Sequence, residues 1–159
     1  MSEQGYAYDV VNASVSGDTT SAALTRLPSL LALHKPAVVV VEIGANDGLR
    51  GLNLDTAHDN IARMIALCRR RGAAVLLVGM QLPPNFGAAY TAQFKNMYQT
   101  LAHKTAVASV PFLLEGFTDD FELMQPDGIH PAATAQSRML DTVWVRLQAM
   151  LTKHKRLSR

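Results

Sequence analysis

Short apolar runs rich in β-branched residues alternate along the chain with longer stretches whose apolar positions recur at helical spacing. This is the pattern of βαβ units, in which parallel strands buried on both faces are joined by crossover helices, and it predicts an α/β fold with a mostly parallel sheet. The first run, residues 8–14, reads as a strand. It leads into Gly17-Asp18-Thr19-Thr20, where a turn glycine and capping side chains introduce a helix over residues 20–34 that Pro36 stops. Residues 37–43, mostly β-branched, form the strongest strand and open at Gly44-Ala45-Asn46-Asp47-Gly48 into a glycine-rich loop.

The next helix starts within residues 53–55, carries Ile61, Met64, Ile65 and Cys68 on one face, and is closed by Gly72. Residues 73–80 make a third strand. The consecutive prolines of Leu82-Pro83-Pro84-Asn85-Phe86-Gly87 cannot feed a ladder, so that stretch is irregular before a helix over residues 89–105. A fourth strand at residues 106–112, a partly helical excursion at residues 115–124 and an amphipathic helix at residues 132–153, bearing Trp144, complete the order.

Composition narrows the class. A chain of 159 residues fits one domain, and 48% hydrophobic with 18% charged residues is a globular balance. No apolar run approaches the ~20 residues of a membrane span, so no stable membrane insertion is expected, and no segment has the build of an export signal. The net charge is +2, and the basic clusters at residues 69–71 and 153–159 lack the interleaved aromatics of a base-stacking surface, so nucleic acid is not an expected partner. Cys68, the only cysteine, forms no internal disulfide and fills core, and no ligand cluster calls for a metal or other cofactor.

Ligands of open α/β sheets bind beyond the carboxyl ends of the strands. Three segments follow predicted strands there: Ser16-Gly17-Asp18-Thr19, Gly44 to Gly48, and Asp127-Gly128-Ile129-His130-Pro131. Asp127 and His130 are close enough for a tight turn to set the carboxylate on one imidazole nitrogen, leaving the other as a general base. The same spacing suits an aspartate capping the last helix beside an unrelated histidine. The Gly17 N–H and the Asn46 amide are candidate donors to a developing oxyanion, or simply a turn glycine and a capping residue. Leu82, Pro83, Phe86 and Tyr90 read as the lining of an apolar pocket or as ordinary loop packing. His34, His58, His103 and His154 read as surface residues without carboxylate partners, and Met97, Met124, Met139 and Met150 as core.

The strings V-V-N-A-S-V-S-G-D-T, V-V-V-E-I-G-A-N-D-G-L-R-G, Q-L-P-P-N-F-G and D-G-I-H-P resemble, in order, the second, third and fifth conserved blocks and intervening loops of the SGNH (GDSL) hydrolases. The resemblance is strongest to the bacterial multifunctional thioesterase I, lysophospholipase and arylesterase group, and runs from about Val10 through the closing helix. It implies a flavodoxin-like three-layer α/β/α sandwich, with acyl esters or thioesters as small-molecule substrates. It also implies Asp127 and His130 as catalytic residues and Gly17 and Asn46 as the oxyanion hole. The segment containing Asp47, Gly48 and Leu49 is similar to the mobile loop that shapes the acyl pocket in that group, beside Leu82, Pro83 and Phe86.

The family's sheet begins with a strand ending in G-D-S-L, which supplies the nucleophilic serine, followed by the first helix. This sequence lacks that block, and Ser2, Ser14, Ser16 and Ser21 lie outside the matching position. The missing strand is an interior one, so its loss leaves a gap or forces residues 8–14 onto residues 38–43; either exposes apolar surface and favours self-association. Two readings follow: a serine esterase or thioesterase without its nucleophile block, or a degenerate SGNH domain binding an acyl ligand or protein partner. A nucleotide-binding module is disfavoured by the absence of a glycine-rich phosphate loop. Relatives are often periplasmic or secreted, but any signal would precede the missing block, so the compartment stays open.

Overall fold

The computed structural model describes residues 6–157, from residue 153 onward by backbone alone. The elements run α1 (Thr20–His34), β1 (Val38–Glu42), α2 (Ala45–Leu49), α3 (Leu54–Arg70), β2 (Ala74–Val78), α4 (Ala88–Thr105), β3 (Ala108–Val110) and α5 (Gln136–Leu157), with single 3₁₀ turns at Pro84–Phe86 and Ala133–Ala135. The three strands are parallel in the order β1-β2-β3. Val38 pairs with Ala74 through to Glu42 with Val78, and Leu76 with Ala108 through to Val78 with Val110.

Strand alternation sorts side chains to two faces. Val39, Val41, Val75 and Leu77 pack with α1, α3 and α4 around Ile61, Ile65, Phe94 and Leu101. Leu76, Val78 and Val110 pack under Val143, Leu147 and Met150 of α5. The result is the expected α/β fold, a parallel sheet with helices on both faces. The helix boundaries are set by the capping residues read from the sequence: Thr19 accepts from the Ala22 N–H, and Asn53 from the Thr56 N–H at 2.8 Å.

Three expectations change. Residues 8–14 form no strand; among the described residues they make no ladder with β1. Their ends are tied elsewhere. The Tyr6 hydroxyl bonds Thr152 and its ring meets Trp144 edge-on, while Arg26 of α1 holds the Ala13 carbonyl and Asp18. The Ser14 N–H turns back to the Asn12 side chain at 3.0 Å, spending the donor a ladder would use. Among the described residues, one edge of β1 therefore has no strand partner. Val10 and Val11 are 72% and 52% exposed, and Val40, on the face covered elsewhere by α5, is 46% exposed.

Second, the glycine-rich loop after β1 is the short helix α2. Third, residues 115–124 are successive turns with no helix, packed through Phe117 and Met124 onto Ala135.

Candidate active site

Because the strands are parallel, the segments leaving β1, β2 and β3 emerge at one end of the sheet. Directly after β1, Gly44 turns the chain with φ 118° into α2, and an added Cβ would lie 2.5 Å from the Tyr98 hydroxyl. Only glycine fits there. The helix α2 is gripped from three sides. Tyr98 of α4 donates to the Ile43 carbonyl at 2.8 Å, and Tyr90 to the Gly48 carbonyl at 3.1 Å. From α1, Thr20 gives Asp47 two bonds, N–H to Oδ2 at 2.8 Å and Oγ1 to Oδ1 at 2.6 Å. Asn60 of α3 donates to Thr20 Oγ1 at 3.1 Å, closing a buried polar network. Burial first, and then the nearby Glu42 and Asp47 carboxylates, push the Tyr98 hydroxyl far above its ordinary range, so it stays a neutral donor.

Asn46 lies on α2, half-buried, and Gly17 on the exposed turn before α1 with φ 82°. The turn and the helix are joined at the surface by Arg50 Nη2, which donates to the Gly17 carbonyl at 3.1 Å. Asp47 is 3% exposed with both oxygens engaged by Thr20, so its carboxylate does not face a ligand. Gly48 is buried too: a Cβ there would meet Phe94 at 2.7 Å and Leu82 at 2.8 Å. These two residues lock α2 in place. Leu49 is half-buried against the core, Leu82 is buried, Pro83 is half-buried, and Phe86 stacks on Tyr90 at 6.5 Å.

The third segment is a self-contained turn. Asp127 Oδ1 accepts the N–H groups of Ile129 and His130 at 2.9 and 3.0 Å, and Oδ2 meets His130 Nδ1 at 2.7 Å. The backbone N–H of His130, then its ring, then the N–H of Ile129 hold the Asp127 carboxyl at about 2. A carboxylate ionised at neutral pH only accepts, so the shared proton belongs to Nδ1, and Nε2 is the ring nitrogen left to act as a base. The imidazole is 65% exposed, and among the described residues Nε2 has no hydrogen-bond partner. The turn is pinned to the excursion by the Gln125 N–H on the His130 carbonyl, a Met124–Pro131 bridge, and Thr134 on the Glu122 carbonyl. Among the described residues no hydrogen bond links His130 to Gly17 or Asn46.

Other sequence expectations resolve individually. Cys68, Met97 and Met124 are buried, while Met139 and Met150 are half-buried against smaller clusters. His34 and His103 are exposed, and His154 lies beyond the described side chains. His58 is not without a carboxylate: its Nδ1 lies 3.0 Å from Asp59 Oδ1. The roles of Thr20, Asn60 and Tyr98 were not read from the sequence. Asn60 carried a signal, a polar residue inside the apolar stripe of Ala57, Ile61 and Met64.

Esterase TesA of Pseudomonas aeruginosa is 50% identical to this chain over 151 residues, covering 95% of the chain and 75% of the relative. A crystal structure of TesA, 50% identical, superposes with a TM-score of 0.90, covering 94% of this chain and 83% of that one. Thioesterase 1/protease 1/lysophospholipase L1 of Escherichia coli is 39% identical over 142 residues, covering 89% and 68%. The psychrotrophic esterase EstA from Pseudoalteromonas, solved inhibited by monoethylphosphonate, is 29% identical with a TM-score of 0.88, covering 95% and 82%. Residues 1–138 match the GDSL-like lipase/acylhydrolase family, and with a parallel sheet, an Asp–His turn and relatives of this similarity, the chain belongs to that family of SGNH hydrolases.

Proposed function

We propose that this chain carries the base and the oxyanion donors of a serine hydrolase acting on acyl esters or thioesters. The observation that carries the reading is the Asp127–His130 turn: an ionised carboxylate fixes the proton on Nδ1 and leaves Nε2 bare toward solvent. In a complete site, Nε2 takes the proton of a serine hydroxyl as Oγ bonds to the acyl carbon, and the Gly17 N–H and Asn46 amide donate to the carbonyl oxygen as it becomes an oxyanion. The imidazolium then protonates the departing alkoxide or thiolate, and water repeats the sequence to release the carboxylic acid. Leu49, Leu82, Pro83 and Phe86 would border the acyl chain. The names of the relatives, esterase and thioesterase, support this substrate class.

The serine is not among the described residues bonded to His130. A strand laid along the free edge of β1 would end beside α2, where such a serine is needed. The unpaired edge also favours a second reading, a domain that binds an acyl ligand or partner without turnover. Hydrolysis of p-nitrophenyl acyl esters separates the two, comparing this chain with a version extended by a family strand, G-D-S-L and helix. Turnover only in the extended protein supports the first reading, and turnover in neither supports the second. Turnover in both would mean that another residue is the nucleophile.

A further inference from the structure

The Asp47 network does more than fill the core. Asp47 follows Asn46 on α2, and Thr20 lies three residues after Gly17 at the first turn of α1. The two bonds from Thr20 to Asp47 therefore tie the backbone carrying one proposed oxyanion donor to the backbone carrying the other. The tie is buried, charge-assisted and short, which makes it far stiffer than the exposed Arg50–Gly17 bond at 3.1 Å. Asn60 orients the Thr20 hydroxyl by donating to its oxygen, so the hydroxyl proton has Asp47 as its acceptor.

Resting on the oxyanion-hole reading above, we infer that Asp47 is a positioning residue that sets the separation of the Gly17 N–H and the Asn46 side-chain amide through Thr20. A helix of five residues has little stability of its own. Its tyrosine bonds grip the carbonyls of Ile43 and Gly48, and among the described residues the Asp47 link is the buried hydrogen-bonded tie from α2 to α1. A burial role alone would be met by any residue that packs; a positioning role requires an acceptor for both the Thr20 N–H and its hydroxyl.

The test uses the whole chain and the ethylphosphonate dianion as a tetrahedral oxyanion probe, followed by ¹⁵N–¹H spectra. In the unmodified chain the Gly17 amide and the Asn46 side-chain amide are expected to shift along one saturation curve. Asp47→Asn, which keeps volume but turns one acceptor into a donor, is expected to weaken the probe about tenfold and to uncouple the two shifts. Should Asp47→Asn not fold, Thr20→Val replaces the hydroxyl with a methyl and Thr20→Ser restores it; the pair is expected to give weakened and recovered affinity, read only in protein that remains folded at the assay temperature. Unchanged affinity and coupled shifts in a folded Asp47→Asn or Thr20→Val chain would overturn the positioning role alone. Absence of both shifts in the unmodified chain would overturn the oxyanion-hole reading, and this inference with it.

Discussion

Asp127 illustrates how a few atoms can decide a residue's chemistry. Its two oxygens take three bonds from Ile129 and His130, which hold the carboxyl at about 2 against an ordinary 3.8. A depressed folded value stabilises the ionised turn above the unfolded value, and that contribution fades as the pH falls from about 4 toward 2. A carboxyl ¹³C titration is expected to place the Asp127 midpoint near the bottom of that window. His130→Ala should raise the midpoint only part of the way, because both backbone N–H groups remain. A midpoint at the ordinary value would mean the turn does not form in solution. In the serine-extended protein, Asp127→Asn is expected to lower kcat by about 10⁴, through loss of the Nδ1 tautomer, with KM little changed.

At the scale of elements, α1 and α3 were legible because their caps, breakers and apolar spacing all agree: Thr19 and Asn53 open them, and Pro36 and Gly72 lie just past their ends. The parallel direction of β1, β2 and β3 followed from β-branched runs separated by helices, while their order and register came only from the structure. What local sequence could not show was the state of residues 8–14, whose strand pattern is real but whose ladder depends on a neighbour in space. Nor could it show α2, since Gly44 and Gly48 read as loop residues until Tyr98, Phe94 and Leu82 are seen pressing against them. Asp127 and His130 were visible as a local turn; Thr20, Asp47 and Asn60 are separated by 27 and 40 positions and meet only through packing. The tightness around α2 yields a stability prediction. Gly48→Ala forces a methyl onto Phe94 and Leu82 and should cost about 1–3 kcal/mol in urea unfolding. Tyr98→Phe removes one donor from the Ile43 carbonyl and should cost about 1–2 kcal/mol. A neutral result for Gly48→Ala would mean that α4 packs more loosely on α2 than the structure has it.

For the molecule as a whole, the sheet is covered unevenly. Helix α5 spans β2 and β3, leaving the same face of β1 exposed at Val40, and among the described residues the outer edge of β1 has no strand partner. Native proteins blunt such edges with charge, bulges or cover; along β1 the one charge is Glu42 at its end, and among the described residues no strand covers Val38–Val41. We therefore expect reversible self-association that grows with concentration, visible as a rising weight-average sedimentation coefficient. Val40→Lys places a charge in the middle of the free edge without touching the Asp127–His130 turn or α2, and should shift the population back to monomer. An added peptide carrying an apolar strand should compete with self-association in the unmodified chain and have little effect on Val40→Lys. If the chain instead stays monomeric over the whole range, the edge is protected in solution, and the uncovered face of β1 is not what governs its assembly.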